Sequence, residues 1–258
     1  MRSLAIWLMT AVLLAATAEA RTLDEVRARG KLVACLYPNA LPFSKENGNP
    51  EGIYVELARA VASALAVELQ VNWLIPRSRR RAGECDIGFD EVQGEEAGGY
   101  GVMATEPYLR TGIALLVRSG VAVGSYADLK PALRIGVPLG SAGEGYLQQR
   151  GLIPRNFALT QEMEAALGAG DLDAILVPTH ATAYALQEKP RDDVTLVHAY
   201  VDEPTLAWNL VATLRKADKA FLDAVNQALA SLRQDGSLAR LYSRYGIPYV
   251  EPVSTGRK

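Results

Sequence analysis

Four carboxylates lie close together in the first half of the chain, and carboxylates at such spacing can transfer protons or bind a cation. They are Asp90, Glu91, Glu95 and Glu96. A hydrated loop accommodates the same composition, because runs of charge are often solvent-exposed. We take Asp90 as a candidate ligand-binding residue. The segment leaves acid–base chemistry, cation binding and a solvated loop as open alternatives.

A second candidate site is the start of a predicted helix, where Ser141 and Glu144 have the spacing of a capping box. The first N–H groups of a helix have no acceptor within the helix and suit an anion or a carbonyl oxygen. An ordinary capped helix packed in its own domain has the same pattern. Ser141 and Ala142 are therefore candidate ligand-binding residues, with a structural role as the alternative.

Further polar and aromatic side chains follow predicted strands, where loops would present them. Asn39 and Phe43 follow the first predicted strand. Phe43 either stacks on a ligand or belongs to the core. Thr105 lies in a proline-containing turn, whereas Thr179 and His180 follow a later strand. His180 at a helix start either contacts the ligand or has a capping or surface role.

The first twenty residues have the pattern of a secretory signal peptide. Arg2 precedes an apolar run over residues 4–16, and Ala18-Glu19-Ala20 supplies the small-x-small cleavage pattern. The apolar run is too short to span a bilayer comfortably. We predict cleavage after Ala20 and a soluble, monomeric, periplasmic protein without membrane insertion.

Export bears on the two cysteines, Cys35 and Cys85, because an oxidising compartment permits a disulfide. A bridge between them would close a loop of about fifty residues. Two separate buried thiols are the alternative. Only His180 and His198 could join the cysteines around a metal, and no ligand spacing is present, so we expect no metal site.

The composition indicates a globular protein with room for two modest cores. The chain has 258 residues, of which 49% are hydrophobic and 22% charged. A formal net charge of -2 argues against a general nucleic-acid binder, which would carry excess lysine and arginine. Because no nucleophile-elbow, phosphate-loop or zinc motif is present, we expect no cofactor and no enzymatic activity.

Short apolar strands alternate with amphipathic helices along the chain, a pattern typical of a doubly wound α/β architecture. The predicted strands cover residues 31–36, 69–75, 85–89, 113–117, 133–137, 173–177, 194–199 and 206–214, and the predicted helices cover residues 57–65, 142–150, 161–167, 181–187, 220–232 and 237–242. The link at residues 76–83 is too short for a crossover helix.

The strand at residues 113–117 is predicted to leave one α/β unit, and the strand at residues 206–214 to return to it. Two such connections act as a hinge. We predict one lobe from residues 21–117 and 212–258 and a second lobe from residues 118–211.

Four stretches in this order resemble the periplasmic solute-binding proteins of family 3, whose members serve as amino-acid receptors of ABC transporters. They are LVACLYPNALPFS with GIYVELARAVA, ATEPYLRTGIALLVRSG, ADLKPALRIGVPLGSAGEGYL, and RKADKAFLDAVNQALASLRQDGSLARLYSRYGIP. The resemblance implies a two-lobed type II periplasmic-binding-protein fold, in which each lobe is a mostly parallel sheet with flanking helices. It also implies a small polar solute bound between the lobes and an ABC permease as partner.

Three shorter features are similar to the receptor-like accessory proteins of methanol and other quinoprotein dehydrogenases. These are PNALPFS, the paired cysteines with GECD, and the ending YGIPYVEPV. This resemblance implies a periplasmic quinoprotein dehydrogenase as partner, with or without a solute ligand. The family also includes periplasmic dehydratases, and on that alternative Glu91 or Glu106 would be the acid/base group.

The resemblance places two charged anchors of an α-amino acid at positions that lack them here. The family arginine that holds the ligand carboxylate would fall between Glu96 and Gly99, and the aspartate that holds the ligand ammonium would fall at Pro178. A hydrogen bond to a charged group contributes about 1.5 to 3 kcal/mol, so losing both would weaken binding roughly a thousandfold. We therefore expect a ligand other than a standard α-amino acid, with a polar amino acid as the alternative.

Overall fold

The computed structural model describes residues 21–74, 85–94, 97 and 101–253. The predicted signal peptide, the short link at residues 76–83 and the residues Glu95 and Glu96 lie outside these ranges. Over the described ranges, no helix is both long and apolar enough to cross a bilayer.

The described chain alternates strands and helices, as the sequence predicts. The strands are β1 (Lys31–Leu36), β2 (Asn39–Ala40), β3 (Ser44–Lys45), β4 (Glu68–Trp73), β5 (Ile87–Val92), β6 (Val102–Ala104), β7 (Leu109–Arg118), β8 (Ile135–Pro138), β9 (Arg155–Phe157), β10 (Ala174–Pro178), β11 (Val194–Val197) and β12 (Ala207–Arg215). The helices are α1 (Leu23–Arg29), α2 (Ile53–Ala64), α3 (Ala142–Gln149), α4 (Thr160–Gly168), α5 (Thr179–Glu188), α6 (Lys219–Gln234) and α7 (Ser237–Ser243).

The sheet has two sections that share β7, with the strand order β4-β1-β5-β12-β7-β10-β8-β9. In the first lobe β1 is parallel to β4 and β5, and β12 runs antiparallel between β5 and β7. In the second lobe β8 is parallel to β9 and β10, while β10 and β11 are antiparallel to β7. The predicted parallel pairing is therefore found within each lobe, and the connecting strands make both sheets mixed.

β7 carries the chain from one lobe to the other. Its first residues, from Leu109 to Gly112, pair with β12, whereas Ile113 to Val117 pair with β10. Because β1 and β5 run in the direction of β7, their carboxyl ends point toward the second lobe. β8 and β10 run in the opposite direction, so their carboxyl ends point toward the first lobe. The exact lobe boundaries at residues 117 and 212 stay a prediction.

Helices cover the sheet because each has one apolar stripe. In the first lobe, Leu57 and Val61 of α2 and Phe221 and Val225 of α6 are fully buried in one cluster. In the second lobe the two faces of β7 enter different clusters. Leu115 and Val117 pack with residues of α3, and Ala114 and Leu116 pack with residues of α4. This alternation follows from the two-residue period of a strand.

A disulfide joins Cys35 in β1 to Cys85 just before β5, as predicted. The next residue, Asp86, is fully buried, and its carboxylate accepts hydrogen bonds from the backbone N–H of Val33 (2.7 Å) and from Arg29 (2.5 Å). Burial raises the pKa of Asp86, while these donors act in the opposite direction. β5 begins at Ile87, two residues after the predicted start at Cys85, although Asp86 already bonds through its backbone to Val33 of β1 and to Arg215 of β12.

The last described residues, 248–253, form an extended segment that we name the C-terminal strap. The phenol of Tyr249 donates a hydrogen bond to the carbonyl of Tyr108 (2.9 Å). The N–H of Arg110 donates to the carbonyl of Val250 (3.0 Å), and Val250 packs against the α4 side of the second lobe. The strap therefore contacts both lobes.

Candidate functional site

The carboxyl ends of the central strands of both lobes face one another, and this is where α/β sheets bind ligands. The side chains at these ends are mostly apolar and solvent-exposed. Tyr37 after β1 is 58% exposed, Val92 at the end of β5 is 47% exposed, and Leu139 after β8 is 67% exposed. Pro178 at the end of β10 is also exposed. We name these four residues the apolar rim; no sequence pattern singled them out as a set.

The start of α3 adjoins the apolar rim, since Leu139 immediately precedes it. The Ser141 hydroxyl accepts a hydrogen bond from the N–H of Glu144 (3.2 Å), which confirms the predicted N-cap. The Glu144 carboxylate does not return to Ser141 as in a full capping box; it accepts from the N–H of Gly140 (2.7 Å). Ala142 is exposed at the first helical position, where the backbone N–H has no acceptor within the helix.

Glu144 changes the electrostatics of this helix start. Besides Gly140, its carboxylate accepts hydrogen bonds from Gln148 (3.1 Å) and Asn156 (2.7 Å). A carboxylate at the first turn already interacts favourably with the helix dipole. The start of α3 therefore already carries one negative charge.

Two of the predicted ligand-binding residues, Asn39 and Phe43, belong to the first lobe, and one is exposed whereas the other is packed. Asn39 is exposed on β2, in a hairpin that pairs it with Lys45. Phe43 is partly buried and stacks on Tyr54, with ring centroids 5.1 Å apart and an interplanar angle of 21°. Phe43 therefore packs against the core of the first lobe, its stacking on a ligand stays a prediction, and Asn39 is exposed.

The two threonine hydroxyls of the predicted set bond to the strands that join the lobes. Thr105 accepts a hydrogen bond from the N–H of Ala212 in β12 (2.9 Å), and its own N–H donates to the carbonyl of Ala212 (2.9 Å). Thr179 donates to the carbonyl of Gly112 in β7 (2.6 Å). Both side chains are buried, so their contacts indicate a role in positioning the strands.

His180 is buried at 6% exposure and lies between aromatic rings of the first lobe. Its ring centroid is 5.9 Å from Phe43 and 5.8 Å from Tyr242 of α7. Farther along α5, the ring of Tyr184 lies 6.0 Å from that of Tyr245. The predicted capping or surface role of His180 is therefore wrong, because α5 packs its first turn against the first lobe.

Burial sets the protonation of this histidine. Loss of solvation lowers the pKa of His180 to about 4, and the nearby His198 acts in the same direction. His180 is therefore neutral near pH 7.

Among the described residues, the remaining candidate carboxylates do not form one site. Glu91 is exposed on β5 opposite Val211 of β12. Glu106 is exposed near α6, where its N–H donates a hydrogen bond to Asn226 (2.8 Å). The side chain of Asp90 lies outside the described part of the structure.

Comparison with known proteins identifies relatives that cover most of the chain. Residues 32–248 match the family described as bacterial extracellular solute-binding proteins, family 3. The L-cystine-binding protein TcyJ of Escherichia coli (strain K12) is 29% identical over 232 residues, which are 86% of this chain and 85% of that protein.

Solved structures share the two-lobed fold. The ancestral cationic amino acid solute binding protein AncCDT-1 is 26% identical, covering 87% of this chain and 99% of that one, with a TM-score of 0.67. The periplasmic binding protein XoxJ from Methylobacterium extorquens AM1 is 20% identical, covering 85% of this chain and 99% of that one, with a TM-score of 0.63. The predicted two-lobed α/β fold is thereby confirmed, and at 20% identity the likeness to XoxJ concerns the fold alone.

Proposed function

Because the chain belongs to the bacterial extracellular solute-binding proteins of family 3, we propose that it is a non-enzymatic periplasmic receptor for a small polar solute. The solute binds between the lobes, and an ABC permease receives it. One observation carries the proposal. The carboxyl ends of β1 and β5 point toward those of β8 and β10, and the capped start of α3 lies beside them.

Three features of the site argue against a standard α-amino acid. An exposed proline, Pro178, stands where the family resemblance places the ammonium-binding aspartate. Glu144 places a negative charge at the start of α3, where a ligand carboxylate would bind. The apolar rim offers surface to the non-polar part of a ligand. The proposed solute is therefore polar but uncharged at these two positions, with an apolar portion.

Thermal unfolding of the mature protein with a panel of metabolites tests this function. Binding to the folded state stabilises it by RT ln(1 + [L]/Kd), which is about 2.7 kcal/mol at a hundredfold excess over Kd. A neutral polar solute should raise Tm saturably. A response to L-cystine, L-histidine or L-arginine would favour the amino-acid receptor instead, and a flat response across a broad panel would contradict a receptor function.

A blocking variant localises the effect. Ala142→Trp fills the space at the start of α3 without removing the Ser141 cap, so it should abolish the ligand-induced rise in Tm. Gln149→Trp is the matched control, because Gln149 is exposed at the other end of the same helix. Equal responses of both variants to the ligand would place the binding elsewhere.

The apolar rim also favours a second candidate, an accessory protein of a quinoprotein dehydrogenase whose polypeptide covers the rim. Exposed apolar patches are typical of interaction sites. Affinity purification of the tagged protein from its native periplasm, with mass spectrometry of bound proteins and released small molecules, separates the two. Recovery of the dehydrogenase with wild type but not with Leu139→Asp would support the accessory role, whereas failure to associate at any stage of maturation would exclude it.

The dehydratase alternative has a direct test of its own. Turnover of prephenate-like acids that falls in Glu91→Gln or Glu106→Gln would establish it. Absence of turnover, or turnover unchanged in both variants, would remove it.

A further inference from the structure

Four buried polar atoms around the hinge have no hydrogen-bond partner among the described residues. They are Nε of Arg110, Nε2 of His180, Nδ1 of His198 and the hydroxyl of Tyr200. They come from four different elements: β7, α5, the loop after β11, and the 3-10 turn Ala199–Asp202. Buried polar groups are normally satisfied, so four such atoms in one region call for a ligand or ordered solvent.

Gly112 is the point around which these side chains are arranged. The ring of Tyr200 lies directly over it, since a Cβ at Gly112 would stand 2.6 Å from the Cβ of Tyr200. Arg110 is two residues earlier in β7 and hence on the same face. Thr179 bonds the carbonyl of Gly112 at 2.6 Å, which places the adjacent His180 beside the same strand.

The fourth member, His198, adjoins Tyr200. The two rings are 6.1 Å apart and nearly perpendicular, at 82°. We name Arg110, His180, His198 and Tyr200 the hinge cluster.

The hinge cluster lies away from the start of α3, although it includes His180, one of the predicted ligand-binding residues. It lies on the face of β7 that carries Ala114 and Leu116, which pack toward α4. The solute site adjoins α3, which packs on the opposite face through Leu115 and Val117. The C-terminal strap lies beside the cluster, because the backbone N–H of Arg110 donates to the carbonyl of Val250 and Val250 packs against the apolar cluster that contains Tyr200.

Each side chain of the hinge cluster can donate a hydrogen bond. Arginine is always charged and offers only donors, a phenol can donate, and each neutral imidazole has one N–H. Among the described residues, Arg110 forms no ion pair with a carboxylate, and its Nε has no hydrogen-bond partner. A partly buried cation without a counter-ion is unfavourable, and a small anion would satisfy the charge and the donors together.

We propose that the hinge cluster binds a small monovalent anion, either a halide or a carboxylate of about the size of formate, between Arg110 and Tyr200. The two imidazoles supply further donors at its edge. Arg110 also acts on the phenol, since burial raises the pKa of Tyr200 to about 12 and the Arg110 charge opposes this rise. The bound anion would connect β7 to α5 and to the turn at residues 199–202, and so fix the hinge.

Thermal unfolding at constant ionic strength tests the proposal. Chloride or formate is titrated against isethionate, an anion too bulky for a packed cluster. At a tenfold excess over Kd, we expect wild type to gain about 3 °C in Tm. The chloride and formate arms distinguish an inorganic from an organic occupant. A wild-type Tm that is identical in all three salts would overturn the proposal.

Variants assign the effect to the cluster. Tyr200→Phe removes one hydroxyl and keeps the ring over Gly112, and Arg110→Gln removes the charge; either should abolish the anion response. Arg155→Gln, at an exposed position in β9, is the control and should respond as wild type does. If Arg110→Gln does not fold, Tyr200→Phe decides alone, and an unchanged response in it would overturn the proposal.

Crystallography supplies an independent readout. Crystals soaked in bromide should show an anomalous peak within hydrogen-bonding distance of Arg110 Nε and the Tyr200 hydroxyl. Ordered water refined at that position, with no anomalous signal, would mean that solvent satisfies the cluster and would contradict anion binding.

Discussion

Arg110 and Asn209 are register partners on the two strands that join the lobes, and the C-terminal strap binds both. Arg110 donates its N–H to Val250. Asn209 binds Val253 twice, accepting from its N–H at 3.2 Å and donating to its carbonyl at 2.7 Å. The side-chain amide thus acts as a short piece of strand backbone. The strap is therefore attached where the lobes are connected.

Replacing Asn209 should weaken this attachment. Asn209→Ala removes both bonds to Val253 and a third to Gln93 (2.8 Å). We expect a loss of about 2 kcal/mol in the free energy of unfolding, measured by urea titration. The control is Gln70→Ala, because the bond from Gln70 to Asn72 is exposed. Equal stability of the two variants would mean that the strap is not a structural element.

Reduction of the Cys35–Cys85 disulfide should destabilise the first lobe. The cysteines are 50 residues apart in sequence, and in the chain-entropy model a bridge over such a loop contributes about 4 kcal/mol. We expect dithiothreitol to lower Tm of wild type and to leave Tm of a Cys35→Ala/Cys85→Ala double variant unchanged. If wild type is equally stable with and without reductant, the bridge has no stabilising role.

Asp173 should contribute stability that disappears in acid. Its carboxylate accepts hydrogen bonds from Arg118 (2.8 Å) and from the side chain and backbone of Arg134 (2.7 to 3.1 Å). The hydrogen bond from Arg134, and then the other donors, hold the pKa of Asp173 well below its usual value. A depressed carboxyl pKa stabilises the folded state above the unfolded pKa of about 4, and this stability is lost as pH falls below it.

The Asp173→Asn variant measures this contribution. We expect it to be about 2 kcal/mol less stable than wild type from pH 5 to 8, with the difference shrinking below pH 4. Asp193→Asn is the control, since Asp193 pairs with Arg191 at an exposed position. A difference independent of pH would show that the charge of Asp173 is not the cause.

His180 should make wild type lose stability as pH falls toward 5. Its folded pKa is about 4, below the ordinary value of about 6.5, so between these values the unfolded chain binds a proton that the folded chain does not. His180→Phe keeps the ring between Phe43 and Tyr242 and removes the titrating group. From pH 7 to pH 5, in buffer without small anions, wild type should lose about 2 kcal/mol more than the variant.

His198 is the matched position for that experiment. Burial also lowers its pKa, so His198→Phe should remove a separate part of the pH dependence. Parallel pH profiles for wild type and His180→Phe would contradict a buried neutral imidazole at residue 180.

The sequence was most informative where one local pattern determines one element. β1 occupies residues 31–36 as predicted, because an apolar run ends there in a proline-containing loop. Ser141 caps α3 because capping depends on a few neighbouring residues. β7 is longer than the predicted 113–117, since pairing with β12 adds Leu109 to Gly112, and that partner lies about a hundred residues away in sequence.

The site was less predictable because its contacts form between lobes. The position of His180 between Phe43 and Tyr242 depends on how α5 packs on α7, and no spacing along the chain encodes it. The C-terminal strap is held by an asparagine side chain and by single backbone hydrogen bonds. Such contacts leave no periodic pattern of apolar residues in the sequence, so the strap was not predicted. The four residues of the apolar rim lie at the ends of four different strands, far apart in the sequence, so no local sequence pattern predicts that they are exposed together.

The central place of β12 has a consequence for the order in which the two lobes assemble. β12 lies between β5 and β7, yet it follows the whole second lobe in sequence. The second lobe can therefore close its sheet section while the first still lacks the strand that joins β5 to β7. The first lobe, and with it the space between the lobes, becomes complete only after β12 has paired with both β5 and β7.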